Sequence, residues 1–315
     1  MLEGTGGLLA LAMVVVAAGT LSGCRRQEPH KETHADVPEA SYVNQIRQWR
    51  QKREARLRQP DGWLSLTGLY WLEDGENTVG SAPTSDLVFP ADKAPLELGL
   101  MERHGDTVTF RPRPGVTVQV DGKPVRDAIT LVPDTQEGTT ILQYGSLRFY
   151  AIVRGERVGV RLKDAESEML TSFKGIESYP IDPKWRIIAH FEPYDPPKML
   201  QIPTILGDVD QEPAPGALAF TVDGQEFKLD VTQEGDQFFV VFGDSTNRKT
   251  TYGGGRFMYT DLPDENGDVV LDFNKAYNPP CVFTPYATCP LPTPGNKLSI
   301  AVTAGEKLYG HPDWL

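Results

Sequence analysis

From Asp61-Gly62 onward the chain breaks into short apolar runs separated by turn residues, and any fold must accommodate that punctuation. The 30 Gly and 26 Pro of the sequence demand many turns and leave little room for long helices. Nine runs between 63 and 163 read as strands, among them 107–111, 147–154 and 158–163. Eight more follow from 184 to 303, including 184–191, 199–203, 237–242 and 298–303. Asp121-Gly122, Asp223-Gly224 and Asn266-Gly267 are hairpin-turn pairs, because both partners tolerate the positive φ such turns need. There is neither an internal repeat nor a βαβ alternation, which argues against a doubly wound or barrel enzyme. The expectation is a mainly β protein in two β-rich sections, residues 41–165 as a helix plus a β-sandwich and residues 166–315 as a C-terminal β section.

One stretch breaks this pattern on the N-terminal side. Residues 42–58, YVNQIRQWRQKREARLR, contain no Gly or Pro and space Ile46, Trp49 and Leu57 among charges, which predicts an amphipathic helix. Its basic face reads as a solvated helix surface, or as one that touches anionic lipid headgroups. Ahead of it, residues 24–40 are polar and aperiodic and read as a tether, in which His30 and His34 are incidental. Residues 8–23 form an apolar run, too short for a comfortable span, ending at Cys24. Leu21-Ser22-Gly23-Cys24 resembles a bacterial lipobox, so residues 1–23 are expected to be a lipoprotein signal and Cys24 the lipidated, palmitate-bearing mature N-terminus. The n-region departs from the usual pattern, with Glu3 and no Lys or Arg. The implied location is the cell envelope, on the outer membrane or a periplasmic face, with the membrane as partner through that lipid.

Charge and cysteine usage narrow the chemistry. A formal net charge of −12 without a basic stripe makes nucleic acid an unsuitable partner. Lipidation of Cys24 leaves Cys281 and Cys289, and in an exported protein that pair is expected to form a disulfide stapling CVFTPYATC. A metal or nucleophilic-thiol reading lacks its helpers: there is no CxxC, no HExxH and no His between the two cysteines. Asp264, Glu265, Asn266 and Asp268 fail the EF-hand spacing and read as a hairpin tip. No cofactor and no metal is indicated.

Four segments together resemble a family: DGWLSLTGLYWLEDGENTVGS at 61–81, YAIVRGERVGVRLKD at 150–164, TTYGGGRF at 250–257, and DFNKAYNPPC with YATCPLP at 272–291. They are similar to the bacterial and archaeal domain of unknown function 1684, over roughly residues 42–307. The resemblance implies one structural unit and brings no activity. Separately, ENTVGSAPTSDLVFP followed by GVTVQVDGKPV resembles a forkhead-associated β-sandwich in rhythm. Ser81 stands where that family's phosphothreonine readers carry Arg, and no Ser-x-x-His follows, so this resemblance implies a fold without phosphopeptide binding.

The candidate site residues come from the same segments. Asp272, Asn274, Tyr277 and Asn278 lie close enough in sequence to converge on one ligand, or to satisfy backbone groups in a buried loop. Arg256 follows three glycines that let a backbone approach a ligand closely or simply make a tight turn. Arg154, Arg161 and Asp164 sit at the ends of a strand pair, as an ion-pair network or the wall of an anion site. Nucleophilic catalysis has little to draw on: there is no Gly-x-Ser-x-Gly, and outside the tether only His104, His190 and His311 could act as bases. His190, in the apolar run RIIAHFEP, reads as a core histidine or as a base near Asp272 or Asp164. The function expected is a small-ligand-binding or structural module of the envelope; the alternative is a hydrolase or lyase built on Arg256, Asp272 and Asn274.

Overall fold

The computed structural model describes residues 39–310; the signal, Cys24, His30, His34, the rest of the expected tether up to residue 38 and His311 lie outside them, while Glu39 and Ala40, expected in the tether, are helical. Helix α1 (Glu39–Leu57) opens the described chain and buries Tyr42, Ile46 and Leu57, one stripe of its surface. Eleven strands follow in chain order: β1 (Leu66–Trp71), β2 (Gly75–Gly80), β3 (Leu87–Val88), β4 (Gly99–His104), β5 (Thr107–Pro112), β6 (Gln119–Val120), β7 (Lys123–Pro124), β8 (Ile129–Leu131), β9 (Leu142–Tyr144), β10 (Leu147–Arg154) and β11 (Arg157–Asp164). They form two sheets, in orders β1-β11-β10-β9-β6-β7 and β3-β2-β4-β5-β8. Both line one core containing Phe89, Phe110, Phe149 and Val160, which makes the section a β-sandwich. Asp121 and Gly122 both have positive φ, 50° and 73°, as the two-residue turn between β6 and β7 requires.

A short helix α2 (Glu168–Ser172), capped by the Ser167 hydroxyl, leads into the second β section. Strands β12 (Arg186–Pro203), β13 (Val209–Val222), β14 (Gln225–Glu234), β15 (Gln237–Phe242), β16 (Arg256–Asp261) and β17 (Asp268–Asp272) form one antiparallel sheet, ordered β16-β15-β14-β13-β12-β17. Its core holds Trp185, Phe220, Phe238, Phe242, Met258 and Phe273. The protein is therefore mainly β, with an N-terminal helix, as the turn spacing implies. All described residues belong to one compact unit.

Three departures from the sequence expectation have physical causes. Runs 184–191 and 199–203 are one strand, because the register shift between Pro193 and Lys198 carries β12 past prolines that cannot donate to a ladder. Asn266-Gly267 does not join paired neighbours: Asp264 accepts from the N–H groups of Asn266 and Asp268, and β17 then pairs with β12 instead of β16. Residues 298–303 are not a strand. The Val302 carbonyl is taken by the Arg256 side chain, and the Leu298 N–H donates to the Gly243 carbonyl.

Candidate functional site

The polar residues that crowd 272–278 turn out to be joinery. Tyr42 on α1 donates its hydroxyl hydrogen to Asp272 Oδ1 at 2.8 Å and accepts from Asn274 Nδ2 at 2.8 Å. Asn274 also bonds both backbone groups of Asp182, and its own N–H donates to Asp272. Asn278 donates from its backbone N–H to Glu306 and from its side chain to the Lys307 carbonyl, while its own carbonyl accepts from Arg53 of α1. Asp272, Asn274 and Asn278 are buried. Burial pushes the carboxyls of Asp272 and Glu306 up from their ordinary values, against the pull of the donors around them. Arg50 reaches the Tyr179 carbonyl, Arg58 the Phe173 carbonyl, and Glu54 accepts from the Ile176 N–H. This set of bonds fixes helix α1 against the C-terminal β section.

Arg256 is 0 % exposed and equally committed. It pairs with Asp244 at 2.8 Å and donates to the carbonyls of Val302 and Ala304, so it stitches β16 to segment 302–306. Burial pushes its pKa down, with Asp244 opposing. The glycines before it serve close packing: a Cβ on Gly255, at φ +85°, would come within 2.5 Å of the Phe242 carbonyl and of Pro292. Arg256 and the Asp272–Asn274 pair therefore share no open pocket, and the hydrolase or lyase geometry built on them is not assembled.

The arginine network of the sandwich is real, but its acid is Asp134 and not Asp164. Arg154 grips Asp134 with two nitrogens, at 3.0 and 2.6 Å, and Arg161 stands 3.9 Å from the same carboxylate. Both arginines also donate to the Thr288 hydroxyl, docking loop 281–289 on the sandwich. Asp164 lies at the other end of β11, with Lys93 3.4 Å away. His190 is neither a core histidine nor a base near Asp272 or Asp164: its side chain is 43 % exposed, and it contacts Asp268, its register partner on β17.

The expected disulfide is not formed: Cys281 and Cys289 are both buried, their sulfurs are not bonded to each other, and the Cys281 N–H donates to the Cys289 sulfur at 3.2 Å. The bond to Cys289 draws the Cys281 thiol down, while burial pushes Cys289 well up. Thr284, between them, donates to the Leu66 carbonyl of β1. The loop thus joins the two β sections with its cysteines side by side.

One predicted residue, Tyr277, does face an open cleft. Strand alternation explains why: Phe238, Val240, Phe242 and Met258 enter the core, which leaves Phe239, Phe257 and Tyr259 on the other face of β15 and β16. Phe239 is the register partner of Tyr259, and Tyr277 bridges Phe257 through two backbone bonds of 2.9 Å. The rings form a continuous wall, with centroids 4.9 Å apart for Phe239–Tyr259, 6.4 Å for Tyr259–Tyr277 and 6.5 Å for Tyr277–Trp49. Helix α1 supplies the facing side with Trp49, Lys52, Arg53 and Arg56, and Trp63 and Lys163 close the end. The cleft measures about 1090 Å³. Arg53 lies 4.6 Å over the Tyr277 ring, and Tyr259 donates to Glu234 at 2.6 Å. Burial, reinforced by Glu234, raises the Tyr259 phenol; burial also raises Tyr277, with Arg53 opposing. Lys163 donates to the Asp61 carbonyl, and burial together with Arg161 pushes its pKa down to about 8.

A second cleft of about 920 Å³ runs along Gly253 and Gly254, but its Asp244, Asn247 and Thr251 side chains are spent within their own turn. Among the described residues no group of three or more His, Cys, Asp or Glu could hold a metal, and no helix is long and apolar enough to cross a membrane. Sequence reasoning missed Trp49, Lys52, Arg56, Trp63, Lys163, Phe239 and Tyr259 as site residues. The period-2 placing of Phe239, Phe257 and Tyr259 was the available signal.

Residues 171–307 match the family described as protein of unknown function (DUF1684). The solution structure of an uncharacterised protein from locus rrnAC0354 of Haloarcula marismortui is 30% identical, covering 44% of this chain and 80% of that one, with a TM-score of 0.38. The FhaA FHA domain, solved in complex with the intracellular domain of Rv3910, is 12% identical, covering 30% of this chain and 97% of that one, with a TM-score of 0.22. No curated protein matches the chain.

Proposed function

Since the chain belongs, through residues 171–307, to a family whose description assigns no activity, we propose its function from the site itself: it is a small-ligand-binding module of the cell envelope, and its ligand occupies the cleft between α1 and strands β15 and β16. The observation that carries this reading is the wall of rings and unspent cations around about 1090 Å³ of open space. That volume stands just above the roughly 300–1,000 Å³ over which small-molecule sites are found. The wall is costly to keep for stability alone, because Tyr259 and Trp49 would bury more area if the helix closed onto the sheet. The bonds from Tyr42, Arg50, Arg53 and Arg58 hold the helix at its distance.

The lipobox-like Leu21-Ser22-Gly23-Cys24 supports anchoring through a lipid on Cys24. Crystallographic screening with a chemically mixed fragment set tests the binding half. Fragments are expected to cluster on Phe239, Tyr259 and Trp49; clustering in the Gly253–Gly254 cleft instead would overturn the assignment. Globomycin treatment, or Cys24→Ser, tests the anchor: a precursor without lipid label should accumulate, and unchanged processing sinks it.

A further inference from the structure

The chain carries a net charge of −12, yet the cleft is lined by four cations, Lys52, Arg53, Arg56 and Lys163, against two carboxylates, Asp61 and Glu234. We propose that its ligand is a ring-bearing anion: a flat apolar ring lies against Phe239, Tyr259 and Tyr277, and its carboxylate, sulfonate or phosphate is held by Lys52, Arg56 and Lys163. This rests on the reading of the cleft as the ligand site and adds the ligand's chemical class.

The cations divide into spent and unspent. Arg53 is used on Glu306 and on the Asn278 carbonyl, and Glu234 is occupied by the Tyr259 hydroxyl. Lys52 and Arg56 make no hydrogen bond or ion pair among the described residues. They stand four residues apart on α1, the spacing at which like charges repel and destabilise a helix. An anion in the cleft would relieve that repulsion. Across from them, Lys163 sits 5.8 Å from the Trp63 ring and carries its charge against burial and against Arg161. An arriving anion stabilises the protonated amine, so binding near pH 8 takes up a proton at Lys163. The ring wall supplies the rest: its faces are open at Tyr259 and half-buried at Phe239 and Tyr277. Flat rings stack there with little lost side-chain freedom.

The test is calorimetric titration of the full chain in mild detergent with three probes: naphthalene-2-sulfonate, naphthalene-2-sulfonamide and methanesulfonate. The sulfonate is expected to bind about tenfold more tightly than the matched neutral sulfonamide and to weaken as salt is raised. Methanesulfonate, lacking the ring, should show no binding. Lys52→Gln with Arg56→Gln should bring the sulfonate most of the way down to the sulfonamide's affinity and leave the sulfonamide unchanged; both side chains are exposed, so the fold is retained. Trp49→Ala should weaken both ring probes. Equal affinity for sulfonate and sulfonamide overturns the proposal while leaving the cleft as a ring-binding site. Failure of both ring probes to bind removes the proposal together with the reading beneath it.

Discussion

Tyr42→Phe removes a single oxygen, yet the structure places that oxygen at the joint between helix α1 and the C-terminal β section. The hydroxyl gives one charge-assisted bond to Asp272 and receives one neutral bond from Asn274. With a charged acceptor worth about 1.5–3 kcal/mol and a neutral pair about 1 kcal/mol, the substitution should cost roughly 3 kcal/mol near pH 8. The cost depends on pH in a definite direction. Burial holds the Asp272 carboxyl above its ordinary value. Between the unfolded and folded pKa the native state binds the extra proton, so this group's contribution is fullest below the unfolded pKa and is lost as pH rises through the folded one. Removing a donor to the ionised form raises the folded pKa further, so the penalty of Tyr42→Phe grows with pH and should fall to about 1 kcal/mol once Asp272 is protonated. Tyr42 itself stays protonated throughout, since burial lifts its phenol far above the usual range. Urea denaturation of both proteins at pH 4.5 and pH 8 measures the difference. A penalty under about 0.5 kcal/mol at both pH values would refute the assignment of Tyr42, Asp272 and Asn274 as the helix anchor.

Other substitutions separate architecture from site. Arg256→Met should cost roughly 3–5 kcal/mol by stranding buried Asp244, read as a drop in the urea midpoint. His190→Ala should shift stability by under about 0.5 kcal/mol, because its contact with Asp268 is solvent-exposed; a larger loss contradicts the surface placement. Exposure to oxidised glutathione should leave Cys281 and Cys289 unlabelled by thiol reagents in denaturant and stabilise the chain by roughly 2.5 kcal/mol through closure of loop 281–289. Full labelling after oxidation contradicts the staple. Reductive methylation of Lys163, followed by peptide mass spectrometry against pH, should show a midpoint near 8.

The sequence makes the architecture legible because turn chemistry is local. Asp121-Gly122 and Asp223-Gly224 specify their hairpins by backbone conformation alone, and the absence of Gly and Pro from 42–58 suffices for α1. Strand β10 can be read directly from its apolar run. Long-range pairing is where local reading stops: Asn266-Gly267 has the chemistry of a hairpin, but β17 finds its partner eighty residues back, at His190 on β12. The same limit governs the site. Asp272, Asn274 and Arg256 are the most polar groups of an apolar neighbourhood, which signals a ligand and a buried joint equally well. Their partners, Tyr42, Asp182, Asp244 and Glu306, decide between the two, and no spacing rule connects them. The cleft is made from α1, β15, β16 and the edge of the sandwich, four stretches far apart in sequence. Tyr277 is the one candidate that reaches it, because its backbone bridges Phe257.

The central claim, that the buried polar loop is architecture and the aromatic cleft receives the ligand, can be read from fluorine NMR of the protein labelled with 5-fluorotryptophan. Trp49 and Trp63 line the cleft, whereas Trp185 lies in the core of the C-terminal sheet and Trp71 is in neither place. On addition of naphthalene-2-sulfonate, the resonances of Trp49 and Trp63 should shift in proportion to occupancy while those of Trp71 and Trp185 stay fixed. A shift at Trp185 with Trp49 and Trp63 unmoved would contradict the account.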